Sequence, residues 1–419
     1  MATLVAPTLE VEGSLPEDGR LPSLPRLLDG QWVWESYCRR FGPPEDEPQR
    51  VRLQQFLYRP GAWALASYAI EWRWGKWTME DQFGVELAAG EEERLFRYPD
   101  DPYLPGLPRA ALAPEAHDLL TDHVGLHPYL LEVEPVRYVP GTHAVLRHTM
   151  RWRRGGEATL YARVLPPDRL ERFLRATDLM KGSGFMLPWV AGSWAEGGVV
   201  WVAGVPGATV RSLIRRGKAP DPSLILDGIS PLWESPPQEG HAVDVQAGMK
   251  WTRHLLSHAL EQEEVRELVH RVAGALGPFA EAWRPTSLAH NDFHDAQLVL
   301  TPSGRLAVVD YEEAGPGDPM LDVGNMLAHL RWMAWFGKSE HYGGYGDTLR
   351  EAALARFGWD RRELALRQSY ALYRLCTNPL RGLRPGWASQ VEEGLRLALG
   401  ALDTPSLGSV TFESLTRYK

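Results

Sequence analysis

The stretch 290–325 constrains the fold of this chain more than any other. It begins His290-Asn291-Asp292-Phe293-His294-Asp295-Ala296-Gln297 and runs into three apolar residues, Leu298-Val299-Leu300. Pro302-Ser303-Gly304-Arg305 then turns the chain, and a second apolar run, 306–309, ends in Asp310. Two short apolar runs joined by a Gly-containing turn predict a β-hairpin. The fold-back brings polar residues from both ends of the hairpin together: Asp292 and Gln297 precede the first strand, and Asp310 follows the second.

These residue types suit phosphoryl transfer. One carboxylate can orient an acceptor hydroxyl and take its proton, while a second carboxylate and an amide oxygen hold magnesium against nucleotide phosphates. The chain continues Asp310-Tyr311-Glu312-Glu313-Ala314-Gly315-Pro316-Gly317-Asp318-Pro319-Met320-Leu321-Asp322-Val323-Gly324-Asn325. His-x-Asp, a hairpin, Asp-aromatic-Glu, Gly-Pro-Gly-Asp-Pro and Asp-Val-Gly-Asn together resemble the catalytic pattern of the aminoglycoside phosphotransferase and choline-kinase superfamily. The resemblance implies an ATP- and Mg-dependent kinase acting on a hydroxyl of a small molecule. It implies Asp292 as catalytic base, His290 as support for the catalytic loop and Asp310 as main metal ligand. Gln297, where the family usually has Asn, offers the same amide oxygen to the metal on a longer arm. Asp318 before Pro319 reads as a helix N-cap, and Asp322 falls in the first turn of that helix. Both are expected to organise the loop that carries Asp310.

The same resemblance implies a β-rich nucleotide lobe upstream. Arg163 stands where the family carries a lysine that contacts the α- and β-phosphates; it keeps the charge but presents a larger fork. Glu171, on the next helix, is either its partner or part of a solvated face. Residues 199–207 resemble the hinge between lobes, whose backbone at Val202, Ala203 and Gly204 would bond adenine.

Residues 51–87 read as β structure with turns at Pro60-Gly61 and Gly75-Lys76, and 58–75 look like 138–155. Both have Tyr-x-Pro-Gly and then Trp-Arg-x-Gly, at a constant offset of 80. This predicts a duplicated hairpin unit, the alternative being two hairpins with common turn residues. The second copy alternates Leu146, His148, Met150, Trp152 with Arg147, Thr149, Arg151, Arg153, the period of a half-buried strand. A helix is expected over 168–180, an irregular Pro-rich insertion over 218–246, and helices over 250–283, 319–336 and 361–402. Strands first and helices after predict an α+β chain with two lobes; the resemblance implies a protein-kinase-like fold, with a β-rich N-terminal lobe, a helical C-terminal lobe and an extra N-terminal β-containing segment. The expected division is 1–125 as an extension or cap, 126–205 as nucleotide lobe and hinge, and 206–419 as the helical lobe with the acceptor site.

Composition narrows the partners. The net charge of −9 argues against nucleic acid, whose binding needs a basic field. No apolar stretch reaches membrane-spanning length, and the first residues do not read as a secretory signal. Two cysteines, Cys38 and Cys376, are too few for a disulfide framework and predict reduced thiols in a cytoplasmic protein. Residues 360–419 carry nine Lys and Arg against six Asp and Glu, which disfavours a polycationic acceptor such as an aminoglycoside or choline. A sugar or another polyol fits better. Among the 17 tryptophans, Trp332, Trp335 and Trp387 are candidates either for packing or for stacking on a sugar ring. The alternatives kept open are a nucleotide-binding pseudokinase, motivated by Arg163, and a kinase acting on protein, disfavoured by the Gly-Pro-Gly-Asp-Pro run after Asp310.

Overall fold

Two Tyr-x-Pro-Gly turns organise the first half of the molecule. The computed structural model describes residues 9, 15–43, 48–74, 76–238, 242–337, 339–383 and 385–403. A 3-10 turn (Leu24–Leu28) leads into α1 (Gly30–Phe41), whose first N–H groups are capped by the Asp29 carboxylate. Strands β1 (Pro48–Arg59), β2 (Trp63–Trp74), β3 (Trp77–Ala88) and β4 (Arg94–Arg97) follow as an antiparallel meander. Gly75, in the second expected turn, lies outside the described residues. Helices α2 (Leu107–Ala111) and α3 (Ala113–Val124) then precede β5 (Leu130–Val139), β6 (His143–Arg151) and β7 (Glu157–Val164). After α4 (Pro167–Met180) come β8 (Val190–Trp194) and β9 (Val199–Ala203), completing an antiparallel sheet of order β5-β6-β7-β9-β8. The segment 90–114 contains both β4 and α2.

The two meanders are held in the same way. Tyr58 Oη and the Gly61 N–H both donate to Asp18 Oδ2, at 2.9 and 2.7 Å. Tyr138 Oη and the Gly141 N–H both donate to Asp101 Oδ2, at the same distances. Gly61 and Gly141 sit at φ +68° and +70°, a left-handed conformation that glycine adopts without a Cβ clash. The sequence around the two aspartates repeats as well: Asp18-x-x-Leu21-Pro22-x-Leu24-Pro25-Arg26 against Asp101-x-x-Leu104-Pro105-x-Leu107-Pro108-Arg109. The likeness therefore begins upstream of the strands and includes the helical entry to each meander.

The second half is helical. It runs through β10 (Ala208–Thr209), α5 (Val210–Arg215), α6 (Pro222–Trp233), α7 (Val245–Ala259) and α8 (Glu263–Ala282). Four short strands follow: β11 (Ser287–Ala289), β12 (Leu298–Leu300), β13 (Leu306–Val308) and β14 (Gly315–Gly317). Then come α9 (Pro319–Phe336), α10 (Glu340–Phe357), α11 (Arg361–Leu375), α12 (Asn378–Gly382) and α13 (Trp387–Asp403). The segment 218–246 is not the irregular insertion its prolines suggest. Asp221 caps α6 through the Ser223 N–H, Pro222 takes the first helical position, and Ile225, Leu226, Ile229 and Leu232 are buried. The helical stretch 250–283 is two helices, interrupted at 260–262. The architecture is α+β with two lobes.

Three cores hold it together. The outer face of the second sheet buries Leu146, Met150 and Trp201 against Leu107, Leu119 and Leu120. The first sheet shares a core with the helical lobe, where Phe56, Tyr68 and Phe83 join Trp34, Leu256, Val269, Tyr373 and Leu395. A central core from α4, α6, the β12–β13 hairpin and α9 lies under the cleft. Among the described residues no helix is long and apolar enough to cross a membrane.

Two predictions follow from this packing. Asp101→Ala strands a buried tyrosine hydroxyl and a glycine N–H, and is expected to lower unfolding free energy by about 3 kcal/mol in urea titration. The second concerns His148, whose Nδ1 accepts from Trp201 Nε1 at 3.2 Å and whose Nε2 faces the Ala110 carbonyl at 3.0 Å. Burial pushes this imidazole down to about 4, against the Ala110 bond. The unfolded chain protonates it near 6.5, so its contribution is complete above that pH and is lost as pH falls toward 4, by about 3 kcal/mol. His148→Gln is therefore expected to flatten the fall of stability between pH 6.5 and 4 relative to the native chain.

Candidate active site

The β12–β13 hairpin delivers the expected residues to one cleft. Its loop is held from α9. Asp322 accepts the N–H groups of His290 and Asn291, each at 2.8 Å, and the Trp233 indole N–H at 3.0 Å. Asp322 thus holds the loop of Asp292, not the loop of Asp310 that the sequence suggests for it. Burial pushes its carboxyl up to about 7, against these three donors. Asp318 caps α9 through the Met320 N–H at 2.9 Å and pairs with Arg367 at 2.8 Å. Asn325 donates to the Phe293 carbonyl at 3.1 Å. Asn291 sits at φ +66° and its side chain donates to the Glu313 carbonyl at 2.9 Å, tying the two loops together. Asp310 is also left-handed, at φ +64°. Non-glycine residues in this conformation carry strain that the surrounding bonds must hold, a frequent property of functional loops.

Asp292 is half-buried, and burial raises its pKa while His294 and Arg374 pull it down. Its Oδ2 accepts from Gln297 Nε2 at 3.1 Å, and Gln297 Oε1 accepts from the His294 N–H at 3.3 Å. His290 lies fully buried beneath the loop, against Phe293, and its ring nitrogens have no partner from another residue among those described. Burial pushes it down to about 3, so it is neutral. Its place is beneath the loop, away from the reacting side of the cleft.

His329, from α9, was not singled out by the sequence. It stacks on His294 with ring centroids 4.2 Å apart, and ligand atoms of Asp292, His294 and His329 lie within 4.8 Å of one another. A metal cage is disfavoured by one bond. His294 Nδ1 accepts from the Ala296 N–H at 3.2 Å, which puts the neutral ring's proton on Nε2, facing Asp292 Oδ2 at 4.0 Å. Asp295 completes the loop by a two-pronged pair with Arg211, at 2.9 and 2.8 Å.

Arg163 points into the cleft. It donates to Asp310 at 3.0 Å and to Glu312, with its guanidinium over the Phe173 ring. Glu171 is exposed and faces Arg175, so the solvated reading of that residue holds. Arg172 instead links α4 to the loop, through the Glu312 carbonyl and the Glu313 carboxylate. Burial alone would raise Asp310, but Glu312 and the Arg163 charge outweigh it and hold its carboxyl well below the usual range. Glu312 goes the other way, raised by burial against the pull of Arg163.

A cavity of about 400 Å³ runs from Asp310 to the hinge and includes Val202, Ala203 and Gly204. The Ala203 N–H donates to the Trp189 carbonyl at 2.8 Å and is not free for a ligand. At Gly204 a Cβ would meet the Tyr161 ring at 2.9 Å. Arg137 and His143 also line this cavity. Extending the alternation of β6 to its first residue would have placed His143 there.

Asp322→Ala leaves three buried donors without an acceptor. It is expected to lower unfolding free energy by about 3 kcal/mol and to speed hydrogen exchange at the His290 and Asn291 amides selectively.

The sequence model described as the phosphotransferase enzyme family matches residues 144–367. No curated protein matches the chain. Among solved structures, a choline/ethanolamine kinase family protein from Mesorhizobium loti is 16% identical, with a TM-score of 0.49 over 70% of this chain and 95% of that one. A thermostable mutant of an aminoglycoside phosphotransferase is 15% identical, with a TM-score of 0.46 over 68% and 99%. A choline kinase from Streptococcus pneumoniae is 12% identical, with a TM-score of 0.46 over 69% and 97%. The family model spans more than half of the chain and covers most of β6, β7, the loop 290–297, the hairpin and the Gly-Pro-Gly-Asp-Pro run: this two-lobed α+β chain belongs to the phosphotransferase enzyme family.

Proposed function

We propose that the protein transfers the γ-phosphoryl group of ATP, with magnesium, to a hydroxyl of a sugar or another polyol. The observation that carries this reading is a chain of bonds at one end of the hairpin: Gln297 bonds Asp292, the Val309 N–H beside Asp310 bonds the Gln297 carbonyl at 2.8 Å, and Arg163 bonds Asp310. Asp292 orients the acceptor hydroxyl and takes its proton; its raised pKa suits a base. Arg163, freed from Glu312, grips phosphate oxygens. The backbone from Val202 to Gly204, less the Ala203 N–H, faces the base. His290 supports the loop from below.

The donor set fits magnesium, a hard cation that takes carboxylate and amide oxygens and keeps water and phosphate in its shell. Asp310, ionised and largely exposed, and the Gln297 amide oxygen, after turning from the His294 N–H, would hold it. Held there, the ion would supply positive charge to offset the charge that develops on the transferred phosphoryl group. Residues 1–125 act in this reading as a cap, 126–205 as the nucleotide lobe and hinge, and 206–419 as the helical lobe with the acceptor site.

One observation favours a second reading. Arg163 closes on Asp310 and Gln297 turns its oxygen to backbone, so both metal ligands are engaged internally, as in a pseudokinase. Turnover separates the two. ATP consumption with Mg²⁺ is expected with a sugar or polyol acceptor, and Asp292→Ala is expected to lower it by at least about a hundredfold. ATP binding without turnover on any acceptor would favour the pseudokinase.

A further inference from the structure

We propose that the protein holds a neutral saccharide in a second cavity, at the junction of the two meanders with α12. The proposal goes beyond the phosphotransferase reading and does not need it, because this cavity is not the one that runs from Asp310 to the hinge.

The cavity measures about 580 Å³, within the range that small-molecule sites occupy. One wall is the first meander, a second is β5, and the third is the end of α12, at Gly382 and the following Leu383. Two edge strands meet here, since β1 is the outermost strand of its sheet and β5 of the other. Each carries a bulge at the cavity. The register of β1 on β2 skips Gln54, and the register of β5 on β6 skips Val136. A regular strand turns successive side chains to opposite faces, whereas a bulge re-aims them. Here the consecutive residues 53–55 and 136–139 all line the cavity. A bulge also keeps an edge from pairing with another strand, so the two sheets leave space between them.

The lining is polar and carries no carboxylate. Gln54, Gln55 and Gln82 bring carboxamides, each with donors and an acceptor. Ser67 adds a buried hydroxyl, engaged only by a long bond of 3.4 Å to the Gln55 carbonyl. Gln82 Nε2 donates to Glu80 at 2.8 Å, while Gln82 Oε1 is buried and accepts no bond among the described residues. A buried amide oxygen without a donor is costly, and a ligand hydroxyl placed there removes the cost. Arg52 is neutralised by Glu71 and Glu80, at 2.8 and 2.9 Å. Arg137 lines this cavity and the one beside Asp310, so it stands between them. Carboxamides donate and accept in turn, as the hydroxyls of a sugar do. A cation finds no carboxylate here, and an anion finds Arg52 already paired.

Calorimetric titration of the full chain without nucleotide tests this. Glucose, sucrose and cellobiose are the neutral probes, gluconate and glucose 6-phosphate the anionic arm, and glucosamine the cationic arm. The best neutral saccharide is expected to bind with a Kd at or below about 1 mM, at least about tenfold more tightly than either charged arm. Gln54→Leu and Gln82→Leu are each expected to weaken it at least about tenfold, while Asp292→Ala moves it less than about twofold. Gln54 is only half-buried, at a strand edge, so its variant is expected to keep the native circular dichroism and melting midpoint even where Gln82→Leu does not. Absence of binding by every neutral probe, tighter binding of a charged arm, or binding that Asp292→Ala abolishes and Gln54→Leu spares would overturn the proposal. The readout is binding, so failure of phosphoryl transfer on every acceptor would remove the phosphotransferase reading alone.

Discussion

The carboxylate of Asp322 lies in the first turn of α9, buried, with three N–H donors aimed at it. Burying a carboxylate is costly, and the rise of its pKa to about 7 expresses that cost. The donors from His290, Asn291 and Trp233 offset it, and the positive end of the helix adds to them. The loop 290–297 has almost no regular structure of its own, so its shape is borrowed from the helix. One turn further on, Asn325 holds the Phe293 carbonyl, and Asp318 ties the start of α9 to α11 through Arg367. The position of Asp292 is therefore a consequence of where α9 begins. The same template reaches Asp310 indirectly, because Asn291 bonds the Glu313 carbonyl from its strained left-handed position.

The parts of the site that follow from local chemistry could be read from the chain. A Gly turn between two apolar runs makes a hairpin in any context, and Asp before Pro caps a helix, so the meeting of Asp292, Gln297 and Asp310 needed no tertiary information. What depended on packing between distant segments could not be read. Glu171 and Glu312 are both carboxylates near candidate elements, and only the placement of α4 decides that Arg163 takes Glu312. His329 belongs to an apolar helix, and its contact with His294 depends on how α9 lies across the loop. Helix α6 was hidden because its prolines are loop signals in isolation, whereas here Pro222 occupies the one helical position that tolerates it well.

The two meanders show how one local solution can serve two ends. In each, a single aspartate gathers a tyrosine hydroxyl and a glycine N–H at the hairpin turn, which fixes the strand pair against the helix before it. Strand register then identifies equivalent positions. Val145 pairs with Arg163 in the second unit, and Leu65, at the same offset of 80, pairs with Glu86 in the first. The position that offers a cation to the cleft in one unit is a carboxylate in the other, where Tyr103 and Arg94 engage it. The first unit thus lacks the charge that a phosphate needs there, and its core is shared with α1, α8, α11 and α13. Its physical contribution is to brace the helical lobe.

The central claim is that one end of the β12–β13 hairpin is the place of phosphoryl transfer. A crystal structure with a non-hydrolysable ATP analogue and Mn²⁺ in place of magnesium tests it most directly, because the anomalous signal locates the metal without assumption. The account predicts Mn²⁺ on Asp310 and Gln297, Arg163 turned from Glu312 to the phosphates, and Asp292 facing the γ-phosphate. Metal held instead by Asp292, His294 and His329, or nucleotide outside the cavity between Asp310 and Gly204, would contradict it.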